Sequence, residues 1–218
     1  MRVIVYVEGA SDVSAMESLL RDIVEQKLEE GVAIKFVQTP AGDRKASLLT
    51  KAPVKAVNIL MNESDAIVAV VPDLYPKNKA FPHETVEELN AGIRRKFNHA
   101  VRLKRIDDPR LAQRFHVFCF KHDLEALILA SEQALRSHLR VASITRTWTD
   151  LVEDQNHGQP PKRVVENLFR HHGQTYEETA DAPAILGQSD YNEVADKCPQ
   201  CFKPFVEFLM SCSPVAAD

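Results

Sequence analysis

Residues 3–12 read VIVYVEGASD, and this stretch decides the fold. Val3, Ile4, Val5, Tyr6 and Val7 are β-branched or aromatic without polar alternation, the pattern of a strand covered on both faces in a parallel sheet. Glu8 then sits at the strand's carboxyl end, Gly9 permits a tight turn, and Ser11 is expected to cap a helix with Asp12 in its first turn. The apolar stripe Val13, Met16, Leu19, Leu20, Ile23 and Val24 supplies the buried face of that helix. Open α/β sheets place ligands in the crevice beyond the carboxyl ends of their strands, so Glu8 occupies a position suited to chemistry.

Working outward, strand patterns at 2–7, 33–38, 66–71 and 115–120 alternate with helix patterns at 11–30, about 44–61, 85–100 and 122–139. That order specifies an α/β fold with a largely parallel four-stranded sheet flanked by helices. Thr85, with Glu88 three residues on, marks the start of the third helix. Between 141 and 161 periodicity fades and the chain passes through Gly-Gln-Pro-Pro, which places a boundary between an α/β domain at 1–140 and a mainly helical C-terminal appendage at 141–218 packed on it. Two helices are expected in the appendage, VVENLFRHH and CFKPFVEFLM, separated by an irregular segment that includes Ala182-Pro183 and GQSD.

The 218 residues carry 27% charged and 44% hydrophobic side chains with a formal net charge of −4, an ordinary globular composition. Nucleic-acid binding must therefore rest on local cations. The opening apolar run ends at Glu8, too short for a signal sequence, and no later run approaches a membrane span, so the expected location is cytoplasmic, without a membrane partner. Cys119, Cys198, Cys201 and Cys212 are then expected reduced.

Ile67 to Val71 repeat the pattern of the first strand and lead through Pro72 to Asp73. With the first and third strands adjacent, Glu8, Asp12 and Asp73 converge on one edge, and clustered carboxylates suit a hard divalent cation such as Mg²⁺ or Mn²⁺. Phosphodiester cleavage is the natural reaction of such a site. The same acids also suit a strand end and a helix start, where the helix dipole favours them without any metal.

Strand-EG-x-x-D-helix, followed two elements later by strand-D, resembles the TOPRIM fold shared by topoisomerases, primases and OLD-family nucleases. More closely, VEGASD, AGDRKASLLTK, AVVPDLYP, FHVFCFKHDLEALILA, PPKRVVENLF and CPQCFKPFVEFL resemble the bacterial domain-of-unknown-function family 4276, TOPRIM-like proteins often found with ATPases in defence loci. The resemblance implies Glu8 as general acid/base or metal ligand, Asp73 as a Mg²⁺ ligand, and an ATPase partner acting with the chain against mobile DNA. It departs at Asp73-Leu74-Tyr75, where Tyr75 stands in place of the second acid of D-x-D. In the HEFEALL-like segment, Asp123 or Glu125 is expected to complete the site, with His122, Asp123 and Glu125 opening a helix on the same edge.

Arg44 and Lys45 after the second strand, and Lys162 and Arg163 at the appendage's first helix, are the candidate nucleic-acid contacts. The run from Arg94 to Arg105 reads as a solvated face. Cys198-x-x-Cys201 has zinc-knuckle spacing but lacks a matching second pair, which favours buried thiols. Two function classes stand open: a metal-dependent nuclease acting on DNA or RNA, and a noncatalytic, degenerate TOPRIM module that binds a partner protein or nucleic acid. A receiver domain, whose phosphoacceptor also ends the third strand, fits less well, because receivers open with paired acids rather than EG.

Overall fold

The computed structural model describes residues 1–39, 44–75 and 77–214. Gly42 and Asp43 of the GDRK segment lie outside the described residues. The strands are β1 (Arg2–Val7), β2 (Ala33–Gln38), β3 (Ala66–Val70) and β4 (Phe115–Val117), all parallel, in the order β2-β1-β3-β4. β1 is central because it is apolar on both faces: Val3, Val5 and Val7 enter one core, and Ile4 and Tyr6 the other. The strand order reverses between β1 and β3, so Glu8 and Asp73 leave neighbouring strands at the same end.

Helices α1 (Ala10–Leu19) and α2 (Arg21–Glu29) occupy the span read as one helix. The boundary is a kink, since Leu20 N–H still donates to Met16 O and its carbonyl accepts from Val24 N–H, each at 2.9 Å. Ser11 is not the cap: Gly9 is, and Asp12 Oδ2 accepts the Gly9 N–H at 2.7 Å. Helices α3 (Arg44–Thr50) and α4 (Ala52–Asn62) divide similarly beside Pro53, which lacks the N–H needed to continue the ladder. Helix α5 (Val86–Leu103) begins at Thr85, whose hydroxyl accepts from Glu88 N–H as its spacing predicts. It runs to Leu103, past the expected end. The short α6 (Arg110–Gln113) was not legible as an element.

β4 is shorter than its sequence pattern, yet contact with β3 continues in irregular form. Phe118 N–H reaches Val70 O, Phe120 N–H reaches Pro72 O, and Leu74 N–H reaches Phe120 O. These bonds carry Asp73 outward alongside Phe120. The following segment forms α7 (Glu125–Ala130) and α8 (Glu132–Leu139), so His122 and Asp123 precede the helix they were expected to open.

The span expected to form the appendage contains α9 (Pro161–His171), α10 (Glu178–Leu186), α11 (Tyr191–Lys197) and α12 (Phe202–Ser211). The stretch read as irregular thus holds α10 and α11. Pro183 of that segment sits inside α10, while GQSD forms the turn from Gly187 to Asp190, the cap of α11. These helices share one core with the Val3/Val5/Val7 face, including Phe202, Phe205 and Leu209, while α3, α4 and α5 cover the opposite face. Among the described residues, no helix is long and apolar enough to cross a membrane.

Candidate active site

Beyond the ends of β1 and β3 lies a cavity of about 190 Å³ lined by Glu8, Asp12, Asp73, Asp123, Glu125 and Glu178, with Arg44 and Lys162 among them. Each acid arrives by a different route. Glu8 ends β1, Asp12 turns back to hold Gly9, Asp73 follows the widened end of β3, and Asp123 and Glu125 straddle the start of α7. Glu178, in the first turn of α10, reaches over from the appendage to accept the Ser11 hydroxyl and the Lys162 ammonium.

The acids are crowded and poorly solvated, and their proton affinities show it. Burial, with Glu8 and Glu178 adding repulsion, pushes Asp12 up to about 6, although Gly9 N–H and Lys162 oppose the rise. Burial and the charges of Glu8, Asp12 and Asp123 hold Asp73 well above the usual carboxylate range, against the pull of Lys45. Asp123 is pushed up to about 7 by burial and Glu125, and Glu125 is raised chiefly by burial. Glu178 moves down, because Lys162 and Ser11 outweigh its own burial.

Two lysines balance part of this charge. Lys45, only 8% exposed, places Nζ 3.7 Å from Glu8 Oε1 and has no hydrogen-bond partner among the described residues. It is an internal counter-charge, whereas Arg44 is exposed on the cavity wall. Lys162 Nζ lies 3.6 Å from Glu125 Oε1, and Glu178 with its acidic neighbours holds its charge above the ordinary lysine range despite burial.

The donor set is all hard oxygen, and Asp123 Oδ1 and Glu125 Oε1 are buried without hydrogen-bond partners, which is the chemistry Mg²⁺ prefers. As the side chains stand, no group of three or more His, Cys, Asp and Glu among the described residues closes around a metal ion. The carboxylates would have to draw inward around a cation, with relief of their mutual repulsion as the driving force.

A family model described as "Domain of unknown function (DUF4276)" matches residues 7–210. The chain belongs to this family. No curated protein matches this DUF4276 chain. Among solved structures, the C-terminal region of the Burkholderia pseudomallei OLD protein is similar at 15% identity and a TM-score of 0.46, over 95% of this chain and 96% of that one. The C-terminal region of the Xanthomonas campestris pv. campestris OLD protein is similar at 14% identity and a TM-score of 0.43, over 95% and 94%. Likeness at this level bears on neither site nor activity.

In the DUF4276 chain, Tyr75 is turned out of the acidic cavity and lines the neighbouring one with His122 and His157. Both Asp123 and Glu125 share the acidic cavity with Asp73. Glu178 is the participant that sequence reading missed, since it falls in the stretch read as irregular and carries only the weak signal of an acid in a helix's first turn. Cys198 and Cys201 are buried thiols elsewhere, and burial pushes Cys201 up to about 12. Beside them Glu153 accepts N–H bonds from Gln200, Cys201 and Phe202. His171 and His172 line a separate groove.

Proposed function

We propose that this DUF4276 chain is a metal-dependent nuclease that cleaves phosphodiester bonds in DNA or RNA. The observation that supports this reading is the convergence of Glu8, Asp12, Asp73, Asp123 and Glu125 on one small cavity walled by Arg44 and Lys162. Glu8, Asp12 and Asp73 would hold Mg²⁺ or Mn²⁺ from the sheet side, and Asp123 and Glu125 from the α7 side. When bound, the cation supplies positive charge to a phosphoryl oxygen and acidifies water.

The remaining work falls to the chain's own groups. Arg44, exposed on the wall, meets the incoming phosphate. Lys162 offers positive charge at the cavity, where a phosphate in transit gains negative charge. Glu8, with Lys45 Nζ 3.7 Å from its Oε1, accepts the proton of the attacking water. Asp73, crowded by Glu8, Asp12 and Asp123, gains most from a cation at the same edge. The family resemblance adds an ATPase partner and a role against mobile DNA to this proposal.

The rival reading is a noncatalytic module that binds nucleic acid or a partner protein. It is favoured by the lysine pairing of Glu8 and Glu125 and by the absence of a closed ligand set among the described residues. Nicking of plasmid DNA and cleavage of structured RNA, assayed with Mg²⁺ and with Mn²⁺, separate the two readings. Activity that disappears in Glu8→Gln and in Asp73→Asn supports the nuclease; cleavage unchanged by both substitutions refutes it.

A further inference from the structure

Next to the acidic cavity lies a second one of about 490 Å³, within the roughly 300–1,000 Å³ typical of small-molecule sites. Tyr75, His122 and His157 form its aromatic side, and Pro160, the cations Lys162 and Arg163 and the acids Asp123 and Glu166 make up the rest. The rings cluster closely. Tyr75 and His157 centroids are 4.0 Å apart, His122 and His157 5.5 Å, and Tyr75 and His122 5.9 Å. Lys77 Nζ stands 5.9 Å from the Tyr75 ring centre.

This grouping differs from aromatic packing in the core. The Phe97–Phe115 stack has a similar spacing of 4.1 Å, but both rings are 2% exposed or less. Here His157 is exposed and Tyr75 half-buried, so ring surface is presented to whatever enters the cavity. His122 is 2% exposed, and its Nε2 has no hydrogen-bond partner among the described residues. An aromatic wall, an unpartnered ring nitrogen and flanking cations match a nucleobase attached to a phosphate backbone.

The position is equally informative. The aromatic and acidic cavities share Asp123 and Lys162 as lining residues. The aromatic cavity also shares Arg163 with a groove of about 660 Å³ in which Ser143, Thr145 and Thr147 stand beside Val164 and Leu168. The aromatic cavity thus adjoins both the acids and the groove, so a single strand at the acids has ring surface and groove within reach. A base inside a duplex presents only its edge and cannot stack on a protein ring without leaving the helix.

We infer that the Tyr75/His122/His157 cavity is a stacking pocket for one unpaired nucleobase, next to the phosphodiester held in the acidic cavity, which makes single-stranded nucleic acid the substrate class. The inference rests on the nuclease reading for the meaning of the neighbouring site, but its test is a binding measurement. Glu8→Gln protein is titrated by fluorescence anisotropy against a labelled single-stranded oligonucleotide, its duplex, and single strands carrying one abasic nucleotide at successive positions.

The single strand is expected to bind more tightly than the duplex, and Tyr75→Ala and His157→Ala to weaken it by roughly 5- to 150-fold each, the scale of one lost stacking partner. Tyr75→Phe, which keeps the ring, retains affinity and guards against misfolding of the alanine variant. An abasic nucleotide at one register causes the same loss and makes Tyr75→Ala silent. Equal binding of duplex, or indifference to an abasic nucleotide at every register, overturns the pocket even if wild-type protein cleaves. Base-dependent binding without any cleavage by wild type leaves the pocket standing and removes the nuclease.

Discussion

Removing the charge of Asp12 should stabilise the protein at alkaline pH and leave it unchanged in acid. In the folded chain Asp12 is pushed up from 3.8 to about 6, chiefly by burial and then by Glu8 and Glu178. A folded-state value above the unfolded one means the native state binds the proton more tightly. The associated stability is fully present below about pH 4 and is lost as pH rises through about 6. The shift is worth about 3 kcal/mol at pH 8. Asp12→Asn abolishes that penalty and keeps a side-chain oxygen for the Gly9 N–H now bonded at 2.7 Å, whose preference for the charged acceptor is already contained in the net shift. A gain of up to about 3 kcal/mol at pH 8 corresponds to a rise of up to roughly 6–12 °C in Tm for a chain of this size. Thermal unfolding followed by circular dichroism at pH 4, 6 and 8, without divalent cations, measures it. Parallel Tm curves for wild type and variant across that range would refute the idea that the cavity stores electrostatic strain.

The same repulsion predicts that Mg²⁺ or Mn²⁺ raises the wild-type Tm more at pH 8 than at pH 5, because protons and cations compete for Asp12, Asp73 and Asp123; a pH-independent metal effect places the cation elsewhere. Lys162→Met strips the buried Glu125 of its cation partner, 3.6 Å away. Because Lys162 is 42% exposed, the expected loss is about 1–3 kcal/mol, less than for a fully buried pair, measured by urea unfolding at neutral pH and recovered in Lys162→Met/Glu125→Gln. Glu153→Ala leaves the Gln200, Cys201 and Phe202 N–H groups without their carboxylate acceptor and should cost about 3–5 kcal/mol in the same assay, with Glu153→Gln intermediate.

Much of this site is legible along the chain because it is local to strand ends. An apolar run that stops at a carboxylate reveals both the direction of a strand and the edge where its acid emerges, which is how Glu8 and Asp73 are found before any coordinates. Asp123 and Glu125 require one more step, the end of a fourth strand, whose regular part is only Phe115–Val117. Glu178 and the pairing of Lys162 with Glu125 are set by tertiary docking of the appendage, which leaves no periodic trace in sequence. Tyr75 misleads for a related reason. Its spacing from Asp73 suggests an acid replaced in place, whereas backbone bonding to Phe120 around Leu74 carries the Tyr75 ring into the next cavity. Pro183 shows the limit of breaker rules, since α10 continues through it with Ile185 and Leu186 fully buried beyond.

The acidic cavity draws one wall from the first β-strand and another from α9 and α10, more than 150 positions later in the chain. During synthesis the sheet's first acids leave the ribosome long before Lys162 and Glu178 exist to face them. A growing chain that has already paired β1 with β3 is therefore chemically unfinished, and a truncated product ending before α9 lacks the Lys162 counter-charge of the cavity. Assembly order thus keeps the acidic cavity open on one side until α9 and α10 dock against the sheet edge.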